Sequence, residues 1–303
     1  MELGQKFWLN GEIADVDKDK ISILTHTLHY GTGVFEGIRC FNIKGNLVAF
    51  RLKDHISRLF KSAEAYSIKM QYTQDQITEA CKHVVKVNGS KDFYIRPLIY
   101  YGAGEMGVGS SKNPVDSAIV VWTWPSYLSK ETEERGVKCM ISSWMKIPNE
   151  SLPQYAKGVA NYANSRLAKL EATNNGYDES ILLNKNGLVT ECSGENIFMV
   201  KDGKITTPAV SVGILEGITR DSVISIAKKL GFSVTEGNIT KDELLDADEA
   251  FLTGTAAGVH QISRIDDKDF QMNEASISNE LKNFYFGIVS GEKTGFDSWL
   301  DKI

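Results

Sequence analysis

The chain has 303 residues, 42% of them hydrophobic and 24% charged, with 34 basic residues against 39 acidic ones. That length exceeds the size at which one hydrophobic core usually stops growing, so two domains are expected, and the composition excludes a disordered chain. A net charge of −5 argues against a nucleic-acid or anionic-membrane surface, no apolar run approaches the roughly 20 residues of a spanning helix, and the acidic start MELGQKFWLNGEIADVDKDK resembles neither an export signal nor a transit peptide, so a soluble, cytoplasmic protein is expected.

The first element is a hairpin: Phe7-Trp8-Leu9 and Glu12-Ile13-Ala14 flank Asn10-Gly11, a pair that tolerates the positive φ angles of a type I′ turn. From Asp54, read as an N-cap, Ile56, Leu59, Phe60 and Ala63 recur at helical spacing, and a second amphipathic helix fits Thr73 to Val87. Asp92 to Tyr101 and Ser117 to Trp124 are rich in β-branched and aromatic residues and read as buried strands. Residues 125–135 are polar after an aromatic start and read as an interdomain linker between a domain of 1–124 and one of 136–303. In the second domain Val137 to Ser143 predicts a strand, Asn161 to Ala172 a helix, and Ser180 to Val200 a pair of strands turning at Asn186-Gly187. Thr219 to Leu230 predicts the clearest helix, with Asp221 in its first turn and Gly231 as its stop. Cys40, Cys81, Cys139 and Cys192 are widely spaced without a CxxC or a Cys/His pairing, which suits reduced structural thiols rather than disulfides or zinc; no metal is expected.

Several segments carry residues that suit chemistry, each with a plainer explanation beside it. Lys157 lies in Tyr-Ala-Lys-Gly-Val-Ala-Asn-Tyr162, among small and aromatic neighbours; burial would lower its pKa and make it a nucleophile, whereas most lysines are surface charges. Glu191 and Glu195 flank Cys-Ser-Gly, either as a solvated turn or as carboxylates of which one meets a pyridine nitrogen. Glu216-Gly-Ile-Thr-Arg-Asp221 leads into the clear helix, so the N–H groups of Ile218 and Thr219 suit an anion; the alternative is a simple threonine cap. Thr253-Gly-Thr-Ala-Ala-Gly258 allows close backbone approach to a ligand or is a tight turn. Glu36-Gly-Ile-Arg39 and Tyr94-Ile-Arg-Pro-Leu98 set arginines in apolar surroundings, and Tyr94 and Arg96 share one face of their strand, either for ion pairing or for a carboxylate ligand.

His29-Tyr-Gly-Thr-Gly-Val-Phe-Glu-Gly-Ile-Arg39, Tyr94 to Leu98, Ala156-Lys157 with Asn161-Tyr162, Glu191 to Asn196, Gly217-Ile-Thr-Arg220 and Gly254-Thr-Ala-Ala257 occur in an order that resembles the branched-chain amino acid aminotransferases among the fold-type-IV pyridoxal-5′-phosphate (PLP) enzymes. The resemblance runs from Phe7 to about Ile265. It implies an α+β fold of a smaller N-terminal α/β domain and a larger C-terminal domain with the cofactor at their interface. It further implies that Lys157 holds PLP covalently and shuttles a proton between Cα and C4′, that Glu191 pairs with the pyridine nitrogen, and that Tyr162 bonds the phenolic oxygen. Arg58, Ile218, Thr219 and Thr255 would bind the phosphate, with Glu195 orienting Arg58 and Tyr162. Tyr94 and the amides of Thr255 and Ala256 would take the substrate α-carboxylate, and Arg96 the distal carboxylate of glutamate. Tyr30, Phe35, Trp124 and Tyr127 would line the side-chain pocket, with Val108 reaching in from a neighbouring subunit.

The activity implied is reversible amino transfer between leucine, isoleucine or valine and 2-oxoglutarate, by a homodimer or dimer-based homo-oligomer. Within the fold family the alternatives are D-amino acid aminotransferase, aminodeoxychorismate lyase and amine transaminase; outside catalysis, a silent PLP-binding protein. Two departures stand out: Gly-Val-Ala follows Lys157 where some relatives carry Ala-Gly-Gly, and the CxxC of some mitochondrial relatives is missing.

Overall fold

A computed structural model describes residues 1–18, 20–124 and 129–303, which group into two units. The first comprises Met1–Pro125, Ala156–Ala160 and Val289–Ile303; the second comprises Ser126–Tyr155 and Asn161–Ile288. Helices and strands mix in both, an α+β architecture.

The first unit is built on an antiparallel sheet. Its strands run Leu300–Lys302, Asn46–Phe50, Ile38–Ile43, Phe93–Tyr101, Val115–Thr123, Lys6–Leu9 and Glu12–Asp15 in spatial order. The expected hairpin is present, and Asn10 and Gly11 take the required positive φ of 48° and 101°. Two helices, Leu52–Ala65 and Gln74–Asn88, pack Leu59, Ala63, Ile77 and Val84 against Ile38, Ile95 and Ile119 of the sheet. Thr73 caps the second through a capping box with Gln76. The cap of the first differs from expectation: Arg51 occupies it in the left-handed region (φ 53°), and Asp54 lies in the first turn with Oδ2 2.6 Å from Arg51 Nε. Asp54 thus complements the helix N-terminus as a charge rather than as a capping acceptor.

The second unit holds a mixed sheet ordered Val189–Cys192, Glu179–Leu183, Val137–Ile141, Gly258–Ile265, Glu249–Gly254, Asn196–Lys201, Lys204–Pro208 and Val234–Gly237. Two stretches depart from expectation. Residues Lys130–Arg135 of the expected linker form a short helix capped by Ser129 Oγ. The expected strand pair over 180–200 is three strands, because Ser193-Gly194-Glu195 breaks the run after Cys192 and the chain re-enters the sheet at Asn196. Among the described residues no helix is long and apolar enough to cross a membrane, and no group of His, Cys, Asp and Glu is placed to hold a metal ion. All four cysteines are buried and free; burial pushes the Cys139 and Cys192 thiols well above their usual range.

Candidate active site

In the first unit the short segment Ala156–Ala160 carries the lysine. It is laced to Gly33–Phe35 by backbone bonds, with Phe35 N donating to Lys157 O (3.1 Å) and Val159 N to Gly33 O (2.8 Å), while Lys157 N donates to Ser62 Oγ (2.9 Å). Gly158 must be small, since a Cβ there would fall 2.3 Å from Tyr66 Oη. The backbone therefore fixes where the Lys157 side chain begins. Burial is the chief influence on its ammonium, followed by the positive field of Arg58; Glu36 and Tyr94 oppose this only in part, and the pKa falls to about 8. The amine is thus far closer to its neutral, nucleophilic form at physiological pH than an ordinary lysine.

Glu36 acts on that lysine from a fully buried position. Its carboxylate accepts from Arg58 Nε (2.6 Å) and Nη2 (2.9 Å) and pairs with His55 Nδ1 (2.7 Å). Burial alone would raise the Glu36 pKa, but Arg58 and His55 outweigh it and hold the carboxyl well below the usual range. His55 is itself pushed down, chiefly by burial, so Glu36 and Arg58 form the ion pair and His55 is the neutral partner.

Tyr94 and Arg96 do share a face of the Phe93–Tyr101 strand. The Arg96 guanidinium carbon lies 4.7 Å from the ring centre of Phe35, 5.2 Å from Trp122 and 5.6 Å from Tyr94. Lys157 Nζ lies 5.1 Å from the same Phe35 ring, which places lysine and arginine around one aromatic side chain. Tyr94 stacks on Trp122 (4.9 Å) and meets Trp124 edge-on (5.5 Å). Tyr30 donates to Met106 O (2.7 Å), and Val108 is 76% exposed in the single chain.

The second unit carries the carboxylates. Glu191 Oε1 accepts from Lys146 Nζ at 2.6 Å, both side chains being less than a tenth exposed, and Oε2 accepts from Asn196 Nδ2 (3.1 Å) and Leu215 N (3.1 Å). Glu195 lies in different surroundings: burial first, then the neighbouring Glu179, pushes its pKa well above the usual range, while Lys169 pairs with Glu179 at 2.6 Å. Glu195 Oε2 is buried without a hydrogen-bond partner among the described residues. The two carboxylates therefore sit in distinct surroundings, one ion-paired and one whose anionic form is disfavoured by burial and by Glu179.

The expected anion-suited helix runs Ile218–Lys229, and its cap is Gly217 rather than Thr219. Glycine is required there because a Cβ would fall 1.9 Å from Asn196 Oδ1. Ile218 and Thr219 are consequently the first two helical residues, at the end of the helix whose backbone dipoles favour an anion. Thr255 and Ala256 sit in the turn between the Glu249–Gly254 and Gly258–Ile265 strands, and Tyr162 opens the helix Tyr162–Asn174.

Of the residues expected in the site, Tyr30, Phe35, Arg58, Tyr94, Arg96, Val108, Trp124 and Lys157 belong to the first unit, and Tyr162, Glu191, Glu195, Ile218, Thr219, Thr255 and Ala256 to the second. Tyr127 lies outside the described residues. Sequence reasoning missed Glu36, His55, Trp122 and Lys146. Trp122 was findable, since it shares strand parity with Trp124, and Glu36 stood within the Glu36-Gly-Ile-Arg39 segment; His55 and Lys146 carry no local signal.

Three comparisons bear on these residues. The model of the amino-transferase class IV family matches residues 33–265. The branched-chain-amino-acid aminotransferase of Escherichia coli K12 is 38% identical over 300 residues, 98% of this chain and 96% of the relative. Among solved structures, the branched-chain aminotransferase of Thermoproteus uzoniensis with norvaline superimposes with a TM-score of 0.94 at 39% identity, over 99% of each chain. A T.th. branched-chain amino acid aminotransferase complexed with N-(5′-phosphopyridoxyl)-L-glutamate gives 0.93 at 39% identity, again over 99% of each.

Proposed function

Because the chain belongs to the class IV aminotransferases, we propose that it exchanges amino groups between leucine, isoleucine or valine and 2-oxoglutarate, with pyridoxal-5′-phosphate as cofactor. The single observation that carries the substrate assignment is the ring-lined arginine beside the lysine. Phe35, Tyr94 and Trp122 offer an apolar wall to an aliphatic side chain, while the Arg96 they surround offers a charge to a dicarboxylate.

The residues fit the cofactor. An amine with its pKa lowered to about 8, an ion-paired buried carboxylate, an uncapped helix N-terminus and an orphaned Glu195 oxygen are the donors and acceptors that an aldehyde, a pyridine nitrogen, a phosphate and a phenolic oxygen require. When bound, the cofactor supplies an aldehyde for the amino group and a ring that draws electrons from the substrate Cα. Lys157 would hold it, and its amine, once free, would take and return the proton at the substrate Cα. Glu191, fixed by Lys146, Asn196 and Leu215, presents its carboxylate to the ring nitrogen. Tyr162 and Glu195 serve the phenolic side. Arg58, held by Glu36, would serve the phosphate, as would Ile218, Thr219 and Thr255. Tyr94 and the amides of Thr255 and Ala256 take the α-carboxylate, and Tyr30, Trp124 and Tyr127 complete the side-chain pocket.

A homodimer in the cytoplasm accounts for Val108, whose exposed isopropyl group would enter a neighbouring subunit's pocket. The two half-reactions should respond differently to loss of Arg96, which only the dicarboxylate contacts. Arg96→Leu removes a charge-assisted contact, so glutamate and 2-oxoglutarate should lose roughly 10- to 100-fold in kcat/KM and leucine much less, measured as separate single-turnover reactions. Equal losses would move Arg96 to the α-carboxylate or to a structural role, and turnover of D-amino acids alone, or pyruvate release from aminodeoxychorismate, would assign a different class IV activity.

A further inference from the structure

The guanidinium of Arg96 makes no hydrogen bond or ion pair among the described residues, and its Nε is buried without a partner. A half-buried cation with no anionic partner among the described residues gains little from solvent on its covered side, so other contacts must hold it. Three aromatic faces do: Phe35 at 4.7 Å, Trp122 at 5.2 Å and Tyr94 at 5.6 Å. A π face contacts the flat surface of a guanidinium, whereas its N–H bonds lie in the plane and point outward. Aromatic contacts therefore fix the cation without consuming its donors. A protein carboxylate would do the opposite, because every distal carboxylate arriving with substrate would have to displace it. Indole is the strongest of the three ring types in such contacts, and Trp122 is itself held by stacking 4.9 Å from Tyr94.

We propose that Trp122 is a positioning residue for the dicarboxylate half-reaction: its indole face, together with the ring of Phe35, holds the Arg96 guanidinium in place with its N–H groups unspent. The charge then remains in the pocket while an aliphatic side chain occupies it, and is ready when a dicarboxylate arrives. This rests on Arg96 being the donor to the distal carboxylate, as proposed above.

The test measures the Kd of glutarate, an unreactive dicarboxylate, calorimetrically on PLP-loaded enzyme, beside single-turnover rates for leucine on that form and for 2-oxoglutarate on the pyridoxamine phosphate form. Trp122→Leu should weaken glutarate and raise the 2-oxoglutarate KM by about 3- to 30-fold, with kcat changing less than KM and leucine losing several-fold less. Trp122→Phe, which keeps a smaller π face, should fall between wild type and the leucine variant; it also serves as the readout if the leucine variant fails to fold. An unchanged glutarate Kd in both variants, or equal losses for leucine and 2-oxoglutarate, overturns the proposal. Arg96→Leu separates the two levels. If it loses glutarate while the Trp122 variants bind normally, only the role of Trp122 falls; if it binds glutarate as wild type, the assignment of Arg96 falls and that of Trp122 with it.

Discussion

Lys157→Ala is expected to lose the absorbance of lysine-bound cofactor together with turnover, by at least about 10²- to 10⁴-fold, the range attributed to a positioned proton-transfer group alone. The fold should survive the change. The main-chain groups of Lys157 make the bonds that fix the segment, with Ser62 and Phe35 as partners, and alanine retains them. The side chain carries a desolvation cost: its pKa of about 8 in the folded chain lies below the ordinary 10.5. Between those values the unfolded chain binds more protons than the folded one, so the stability of the cofactor-free protein should climb as pH rises through that window. The alanine variant should lack that climb. Thermal melts of both cofactor-free proteins from pH 7 to 10, beside absorbance spectra after PLP addition, check each part; an active variant retaining the bound-cofactor band would transfer the role to another lysine.

Glu191→Gln should also lose most of its activity while still binding PLP, since a neutral amide cannot hold a proton on the pyridine nitrogen as a carboxylate does. Lys146, 2.6 Å away and almost fully buried, would then be left as an uncompensated cation, so the single variant should also be destabilised by about 3–5 kcal/mol. Combining Glu191→Gln with Lys146→Met removes the stranded charge and should restore the melting temperature without restoring turnover. Recovery of turnover along with stability in the double variant would show that Glu191 acts through the fold and that another group serves the ring nitrogen.

The sequence revealed what local pattern can encode. Strand parity placed Tyr94 and Arg96 on one face, the small and aromatic neighbours of Lys157 pointed to burial, and Asn10-Gly11 and Thr73 marked a turn and the start of a helix. Pairings between distant residues left no such trace. Glu36 meets Arg58 across 22 positions and Glu191 meets Lys146 across 45, and neither spacing matches a helical or strand period. The cap at Arg51 was missed because a left-handed arginine is disfavoured locally and is held there by its bond to Asp54. Likewise, nothing in the Ala156–Ala160 segment itself shows that it joins a unit drawn otherwise from Met1–Pro125 and Val289–Ile303.

The central claim is best tested by the two half-reactions of the unaltered enzyme. Leucine added to the PLP-loaded protein without any oxo acid should convert the cofactor absorbance to that of pyridoxamine phosphate and release one equivalent of the corresponding 2-oxo acid, and 2-oxoglutarate should then restore the starting spectrum. A spectrum that leucine, isoleucine and valine all leave unchanged, or one restored by pyruvate but not by 2-oxoglutarate, would contradict it.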